Sequence, residues 1–525
     1  MVEIALGRLP GRLLCVKPSV WEKPIGSRSP SSIMNQKYIS CVFALFATSF
    51  ASAAPFTASN LVVTQVGSNT RAVALNGSAT EVLLKEFTPS GTLVQTIPLP
   101  SSGSGTKLTL AGNVTYEGQL SFYNNFFSMM GYDATAGASN VALGTATTFP
   151  RVVMIMDKNG NIDLTTRMTD TFPNNDGGEA GPRSAVTDGN RIWMAGKASP
   201  NNVAFGAGYR TTTKGSTTSS IIWTGIGKSI NVYNDRLFFH NTTGILTPEV
   251  ALPATASVSN AFILDFTLSI SDFCFTDADT LYVADDSGTK GVTKYVWSGS
   301  AWNPVESITN GLLTGVRSIA GYKNAQGEDQ VYVVTNTTSG PNSVYKLVPG
   351  EFSTQFTLVA TSGTHNRFKS VEVFLPSNTV SGTLQLQSYE GPVVPGNFRF
   401  DFYQGGVLKD SKLANVAING TYSLNTTLPA GSYDVLVRGT TWLTKKIAGV
   451  NLTANTTMNA SMVNGNANDD DSVDLLDYFV LSDSYNLGLG DAGYNDSADF
   501  NGDNSVDLLD YFILSDSYNK ESDLP

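Results

Sequence analysis

The sequence predicts a mainly β chain: a β-propeller of six or seven blades, then a β-sandwich, then a small α-helical module built on two loops. Three observations predict it. A strand pattern led by Asn or Asp recurs at spacings of 45, 44 and 50 residues. Alternation of apolar and polar positions marks the strands of residues 378–463. Near the C-terminal end one stretch occurs twice, Ser472 to Asn486 and Ser505 to Asn519, differing only at Val480 and Ile513. A chain of 525 residues has room for roughly two to four domains.

The chain opens with a leader, residues 1–53. Lys37 supplies a positive n-region, Ile39 to Phe50 an apolar h-region, and Ala51-Ser52-Ala53 a small-residue cleavage site. Residues 34–53 therefore read as a secretory signal peptide, too short to anchor as a transmembrane helix. Met34 is the expected start, with residues 1–33 arising from an upstream start codon. Of the three cysteines, only Cys274 survives cleavage, so no intrachain disulfide is expected.

The propeller is expected over residues 54–375. Its repeat reads Asn190-Arg-Ile-Trp-Met-Ala, Asp235-Arg-Leu-Phe-Phe-His, Asp279-Thr-Leu-Tyr-Val-Ala and Asp329-Gln-Val-Tyr-Val-Val, with a weaker copy at Tyr123-Asn-Asn-Phe-Phe-Ser-Met-Met. Hairpin signals lie between copies, as at Asp157-Lys-Asn-Gly-Asn161. One such sheet cannot bury both faces, so the repeats close into a ring. Leu61-Val-Val-Thr-Gln and Ser370-Val-Glu-Val-Phe are placed to pair in one blade and complete it. The region resembles secreted bacterial propeller proteins, in which a strand like Asp279-Thr-Leu-Tyr-Val-Ala-Asp-Asp286 precedes one like Gly291-Val-Thr-Lys-Tyr295. That resemblance implies the fold and carries no catalytic residue.

Residues 378–463 follow with strands such as Phe398-Arg-Phe-Asp-Phe-Tyr and Gly431-Ser-Tyr-Asp-Val-Leu-Val-Arg. One buried face per strand predicts an antiparallel sandwich. Pro429-Ala-Gly-Ser-Tyr433 resembles a turn of collagen-binding B-type and carboxypeptidase-regulatory-like domains, which implies a stiff spacer.

The tail, residues 464–525, holds two twelve-residue loops with oxygen side chains at positions 1, 3, 5, 9 and 12. These are Asn466, Asn468, Asp470, Asp474 and Asp477 in loop one, and Asp499, Asn501, Asp503, Asp507 and Asp510 in loop two. Ser472 and Ser505, at position 7, add backbone carbonyls. Hard oxygens at this spacing wrap Ca²⁺, which takes roughly six to eight of them. An acidic solvating tail would not need Leu-Leu-Asp-Tyr-Phe after each loop. Two calcium ions are therefore expected. Position 6, usually Gly, is Asp471 and Asn504.

These repeats resemble a type I dockerin, two calcium loops each followed by one helix. The resemblance covers about residues 464–519. It implies docking onto a cohesin-like or other surface protein, outside a bacterial cell or on its surface, in a setting of polysaccharide utilisation. In that family the partner meets positions 10, 11, 17 and 18. Here these are Leu475, Leu476, Ser482 and Asp483, and Leu508, Leu509, Ser515 and Asp516. Where the family usually carries small hydroxyl residues and then basic ones, this chain has Leu-Leu and then Ser-Asp, so the partner's identity does not carry over. Phe479 and Val480, with Phe512 and Ile513, extend this into an apolar stripe expected to form the partner surface. Tyr478, Leu481 and Tyr485, with Tyr511, Leu514 and Tyr518, are expected to form the contact between the helices.

Composition narrows the chemistry. The formal charge is −11, but residues 464–525 hold fifteen acids and one lysine, a net of −14 that leaves +3 elsewhere. No basic stripe suggests nucleic acid. Two histidines, His240 and His365, cannot build a multi-histidine zinc site. Asp188, Asp277, Asp285 and Asp286 are the carboxylates considered for an axial glycosidase pair, although Asp285-Asp286-Ser-Gly also reads as a turn. The preferred reading is non-catalytic: a propeller that binds or displays a polysaccharide or protein ligand. The alternative is a glycan-active hydrolase or lyase.

Overall fold

The computed structural model describes residues 53–174, 180–199, 208–240, 244–255, 260–265, 270–287, 291–308, 315–324, 326–337, 341–347, 356–391 and 396–523. The signal-peptide expectation lies outside these, save Ala53. Among the described residues no helix is long and apolar enough to cross a membrane.

Six four-stranded antiparallel sheets follow one another. The repeat seen in the sequence is the second strand of five of them: Phe126–Tyr132, Arg191–Lys197, Arg236–His240, Thr280–Asp285 and Asp329–Thr335. These strands are rich in β-branched and aromatic residues because both of their faces are covered. The outermost strands pay no such constraint, and Trp302–Ile308 is largely exposed.

The innermost strands are Arg367–Val373, Ser121–Tyr123, Gly181–Thr187, Ser229–Tyr233, Ile270–Asp277 and Val316–Lys323. Each touches the next, and the last touches the first, so the six sheets close a ring as in a β-propeller. Closure uses the two segments singled out above. Leu61–Val66 pairs antiparallel with Arg367–Val373, with Val62 opposite Glu372 and Thr64 opposite Ser370. The seams between sheets are apolar. Tyr209 of the third sheet meets Phe239 of the fourth at 4.2 Å, and Tyr233 of the fourth stacks on Phe275 of the fifth at 4.9 Å.

The following strands form two four-stranded sheets around a core that includes Phe398, Phe400, Phe402, Val435, Val437 and Trp442. The expectation of a purely antiparallel sandwich needs correction. Asn378–Leu386 pairs in parallel with Asn455–Thr457 and Ala460–Met462. The long Trp442–Leu452 strand carries the chain back, so the final strands run beside the first in the same direction. Polar contacts join sandwich to ring: Ser377 N donates to Asn125 Oδ1 at 2.9 Å, and Lys412 Nζ to Asn234 Oδ1 at 2.8 Å.

The tail holds two helices, α1 (Leu475–Ser484) and α2 (Leu508–Ser517). Asp474 and Asp507 cap them, each in a reciprocal capping box with the Asp three residues on. Asn486 and Asn519, two residues past the helices, take left-handed backbone (φ 60° and 62°). The segment after α1 pairs with loop two, Leu487 opposite Val506, and the segment after α2 returns to loop one, where Asn519 N donates to Val473 O at 2.8 Å. Each repeat thus closes the loop of the other.

Candidate metal centre and docking face

Both loops turn the same way at the same steps. Positions 4 and 6 are left-handed in each: Asp469 (φ 60°) and Asp471 (69°), Gly502 (73°) and Asn504 (74°). The sharp turn usually given to glycine is thus made by Asp and Asn, the residues that tolerate it best. These turns bring backbone N–H groups onto the side chain at position 1. Asp499 accepts from Gly502 N at 2.9 Å, Asp503 N at 3.1 Å and Asn504 N at 2.8 Å. In loop one, neutral Asn466 accepts from Asp470 N at 3.2 Å. Positions 3 and 5 touch in both: Asn468 Nδ2 donates to Asp470 at 2.8 Å, and Asn501 Nδ2 to Asp503 at 2.9 Å. Ser472 and Ser505 donate their hydroxyls to those same aspartates.

Position 12 folds back over each loop. Asp477 accepts from Ala467 N at 2.7 Å and Asp474 N at 2.8 Å, and Asp510 from Asn501 N at 3.1 Å and Asp507 N at 2.8 Å. Both carboxylates are fully buried, and among the described residues neither is paired with a lysine or arginine. Burial pushes the Asp477 carboxyl up, and burial with the nearby Asp499 charge pushes Asp510 up to about 6. Among the described residues no three Asp, Glu, His or Cys side chains form a metal-holding group. A calcium loop differs from such a group, because asparagine side chains and backbone carbonyls share the ligation. The mixed oxygen donors, repeated turns and buried uncompensated carboxylates fit a hard cation.

The helix faces divide differently from expectation. α1 turns Asp477, Leu481 and Ser484 inward, and α2 turns Asp510, Ile513, Leu514 and Ser517 inward. Ile513 is therefore core and not partner surface, and Val480 is half-buried against the same core. That core also holds Val473, Leu481, Phe500, Val506 and Leu514. The four tyrosines expected between the helices are 38–43% exposed, and only Tyr478 and Tyr511 meet, edge-on at 6.4 Å. Leu475, Leu476 and Phe479, with Leu508, Leu509 and Phe512, are each about half exposed. Ser482, Asp483, Ser515 and Asp516 lie exposed beyond them.

Loop two seats directly on the sandwich. Glu390 N and Gly391 N both donate to Asn501 O, at 3.2 and 2.8 Å. A side chain at Gly391 would come within 1.8 Å of Gly502 O, so glycine is needed there for the backbones to approach. Leu443 of the sandwich joins the tail's core, and Lys445 pairs with Asp523 at 2.7 Å.

The four carboxylates considered for an axial pair do not come together. Asp188 and Asp277 sit in turns between first and second strands, accepting from Asn190 N and Asp279 N. Asp285 and Asp286 follow a second strand, at the other end of the ring, and Asp285 closes a turn by accepting from Ser287 N at 2.7 Å. His240 is packed inside its strand, and burial holds its imidazole well below the usual range. A set of basic residues on or just before the inner strands recurs as Arg183-Ser, Lys228-Ser, Arg317-Ser and Lys369-Ser, with no local sequence signal to mark it.

No family model matches the chain, and no curated protein matches it. Among solved structures, a type II cohesin–X-dockerin complex from Acetivibrio cellulolyticus, carrying a C-terminal interface mutation, is similar at 25% identity over 28% of this chain and 97% of that one, with a TM-score of 0.24. The WD40 β-propeller domain of Doa1 is similar at 11% identity over 64% of this chain and 94% of that one, with a TM-score of 0.27. A chain of a nidogen/laminin complex is similar at 11% identity over 60% of this chain and 97% of that one, with a TM-score of 0.35.

Proposed function

We propose that this is a secreted multidomain protein with a propeller at 54–375, a sandwich spacer at 378–463 and a dockerin-like domain at 464–525. The tail binds two calcium ions and attaches the chain to a cohesin-like or other surface protein, in a setting of polysaccharide utilisation. The propeller binds or displays a ligand there. One observation carries the reading: Asp477, Ser484, Asp510 and Ser517 turn inward beside Leu481 and Leu514, while Leu475, Leu476 and Phe479 and their counterparts Leu508, Leu509 and Phe512 stay about half exposed. Inward carboxylates call for a cation, and a repeated outward apolar face calls for a partner.

Calcium would be held by Asn466, Asn468, Asp470 and Asp477, and by Asp499, Asn501, Asp503 and Asp510. The carbonyls of Ser472 and Ser505 would join them, and Asp474 and Asp507 would act from position 9. The ion would supply positive charge to a segment of net −14. Its binding energy would appear as folding energy of the tail. A glycosidase at the ring axis, the alternative, needs two facing carboxylates, and the four considered lie at opposite ends of the ring.

The test is calorimetry and circular dichroism on the full chain, with calcium and with EDTA. Two binding events are expected, the weaker at loop one, where Asn466 replaces the charged Asp499. Chelation should remove helical signal and leave the β signal of the ring unchanged. Absence of calcium heat, or helix unaffected by EDTA, would remove the reading.

A further inference from the structure

The axis of the ring collects positive charge that the proposed function does not use. Basic-Ser pairs recur at the starts of four inner strands, on the strand or just before it: Arg183-Ser184, Lys228-Ser229, Arg317-Ser318 and Lys369-Ser370. At three of them the strand register slips over the basic residue: between Pro182 and Ser184, between Val316 and Ser318, and between Phe368 and Ser370. A bulged residue leaves the ladder, and its side chain is re-aimed. The serines tie the inner strands together. Ser370 Oγ accepts from Leu120 N at 2.9 Å, and Ser318 Oγ donates to Asp272 at 3.1 Å.

The cations meet at one aromatic ring. The guanidiniums of Arg183 and Arg317 lie 4.9 and 5.3 Å from the centre of Tyr116, and Lys228 Nζ lies 6.0 Å from it. Tyr116 precedes the inner strand of the second sheet. Arg183 belongs to the third sheet and Arg317 to the sixth, opposite each other in a ring of six, so Tyr116 lies near the axis. Arg367 and Lys369, from the strand that closes the ring, are within electrostatic reach of Arg317.

Opposite charge is scarce here. Glu117 accepts from Tyr132 and from Ala111 N and lies within electrostatic reach of Lys369, and Asp286 is the acid within reach of Arg317. Arg317 is only 4% exposed, and its Nε and Nη1 have no hydrogen-bond partner among the described residues. Burial and the repulsion of Arg367 and Arg183 hold it down to about 10, against the attraction of Asp286. A buried guanidinium with open donors is costly unless something accepts from it.

We infer that this cluster is a binding site for an oxyanion, the carboxylate, sulfate or phosphate of a ligand entering along the ring axis. Arg317 grips it through its open nitrogens, Arg183 and Arg367 flank it, and Tyr116 holds the cations in place. Arginine suits the task because its guanidinium keeps its charge and donates a charge-assisted hydrogen bond from an open N–H. The site rests on residues of the ring alone and does not depend on calcium in the tail.

The test is calorimetry on the full chain with D-glucuronate, inorganic sulfate and inorganic phosphate, and D-glucose as the neutral control. Each titration is run with and without EDTA, so that heat arising from metal in the tail is separated from heat at the axis. Saturable, EDTA-insensitive binding of at least one oxyanion, and none of glucose, is expected. Preference for glucuronate would assign the site to a sugar acid, and preference for sulfate or phosphate to an inorganic-type ester. Arg317→Gln should weaken binding by roughly tenfold or more. If that variant melts much earlier, the same oxyanion should still raise the Tm of the unaltered protein relative to chloride at equal ionic strength. No saturable binding by any of the three, or unchanged binding by a folded Arg317→Gln, overturns the site.

Discussion

Asp272 shows how the ring stores electrostatic cost. It is 1% exposed and accepts from Ile319 N at 3.0 Å, from Ser318 Oγ at 3.1 Å and, across the ring, from Gln119. Among the described residues its second oxygen has no hydrogen-bond partner. Burial outweighs these donors and pushes its carboxyl up to about 6, and burial with the Asp272 charge pushes Glu372 up as well. Because the folded pKa lies above the unfolded value, the folded state binds the extra proton. The cost of the charged form is therefore fully felt above pH 6 and relieved as pH falls from about 6 toward 4. Asp272→Asn should be more stable than the parent at pH 7 by on the order of 1–3 kcal/mol. It should also lose the part of the parent's acid stabilisation that this group supplies. Denaturant melts of both proteins at pH 7 and pH 5 check this, and an equal pH response in the two would count against it. Neither Asp272 nor the basic cluster was legible as such in the sequence. Ser271-Asp272 and Arg317-Ser318 look like ordinary polar positions until the bulges and the ring closure set their direction.

At the scale of elements, the repeated second strands and the calcium-type loops could be read directly, because period, turn residues and duplication are local. The helix faces could not. Tyr478, Leu481 and Tyr485 form one stripe by spacing, but spacing does not say which side is covered. The inner side is taken by Asp477 reaching back to loop one and by Ser484, whose hydroxyl donates to Gly493 O at 3.2 Å. Polar residues with partners thus share the inward side with Leu481 and Leu514, and Leu475, Leu476 and Phe479 are left half exposed. Leu476 and Leu509, 52% and 54% exposed, lie at equivalent places on the two helices. Leu476→Asp with Leu509→Asp should therefore change stability by no more than about 0.5 kcal/mol, and it should leave calcium binding intact. It should abolish retention of the full chain on cohesin modules that hold the parent. Surface plasmon resonance against such a panel gives the answer, and retention equal to the parent's would exclude this face.

At the scale of the whole chain, ring closure was legible because its two partners are short β-branched runs at either end of the repeats. What it implies for folding follows from burial. All six residues of Leu61–Val66 are buried, and Val371 and Phe368 are buried on the strand beside them. Without Arg367–Val373 that strand would present an open edge, and the seam of Phe87, Tyr332 and Val334 against Phe368 would lose its cover. The contacts from sandwich to ring are polar instead: Asn125 with Ser377 and Asn124 with Asn425, both part-buried, and Asn234 with Lys412, exposed. Single hydrogen bonds of this kind contribute roughly 1 kcal/mol each at most, well below what the buried seam supplies. A chain shortened to end at Leu375 should therefore fold and melt within a few degrees of the ring transition of the full protein. A chain ending at Asn366, shorter by nine residues at most, should lose cooperative melting and accumulate as aggregate. Expression, gel filtration and thermal melts of the two truncations distinguish these outcomes. A cooperative, monomeric ring without residues 367–375 would mean that the closing strand does not hold the ring together.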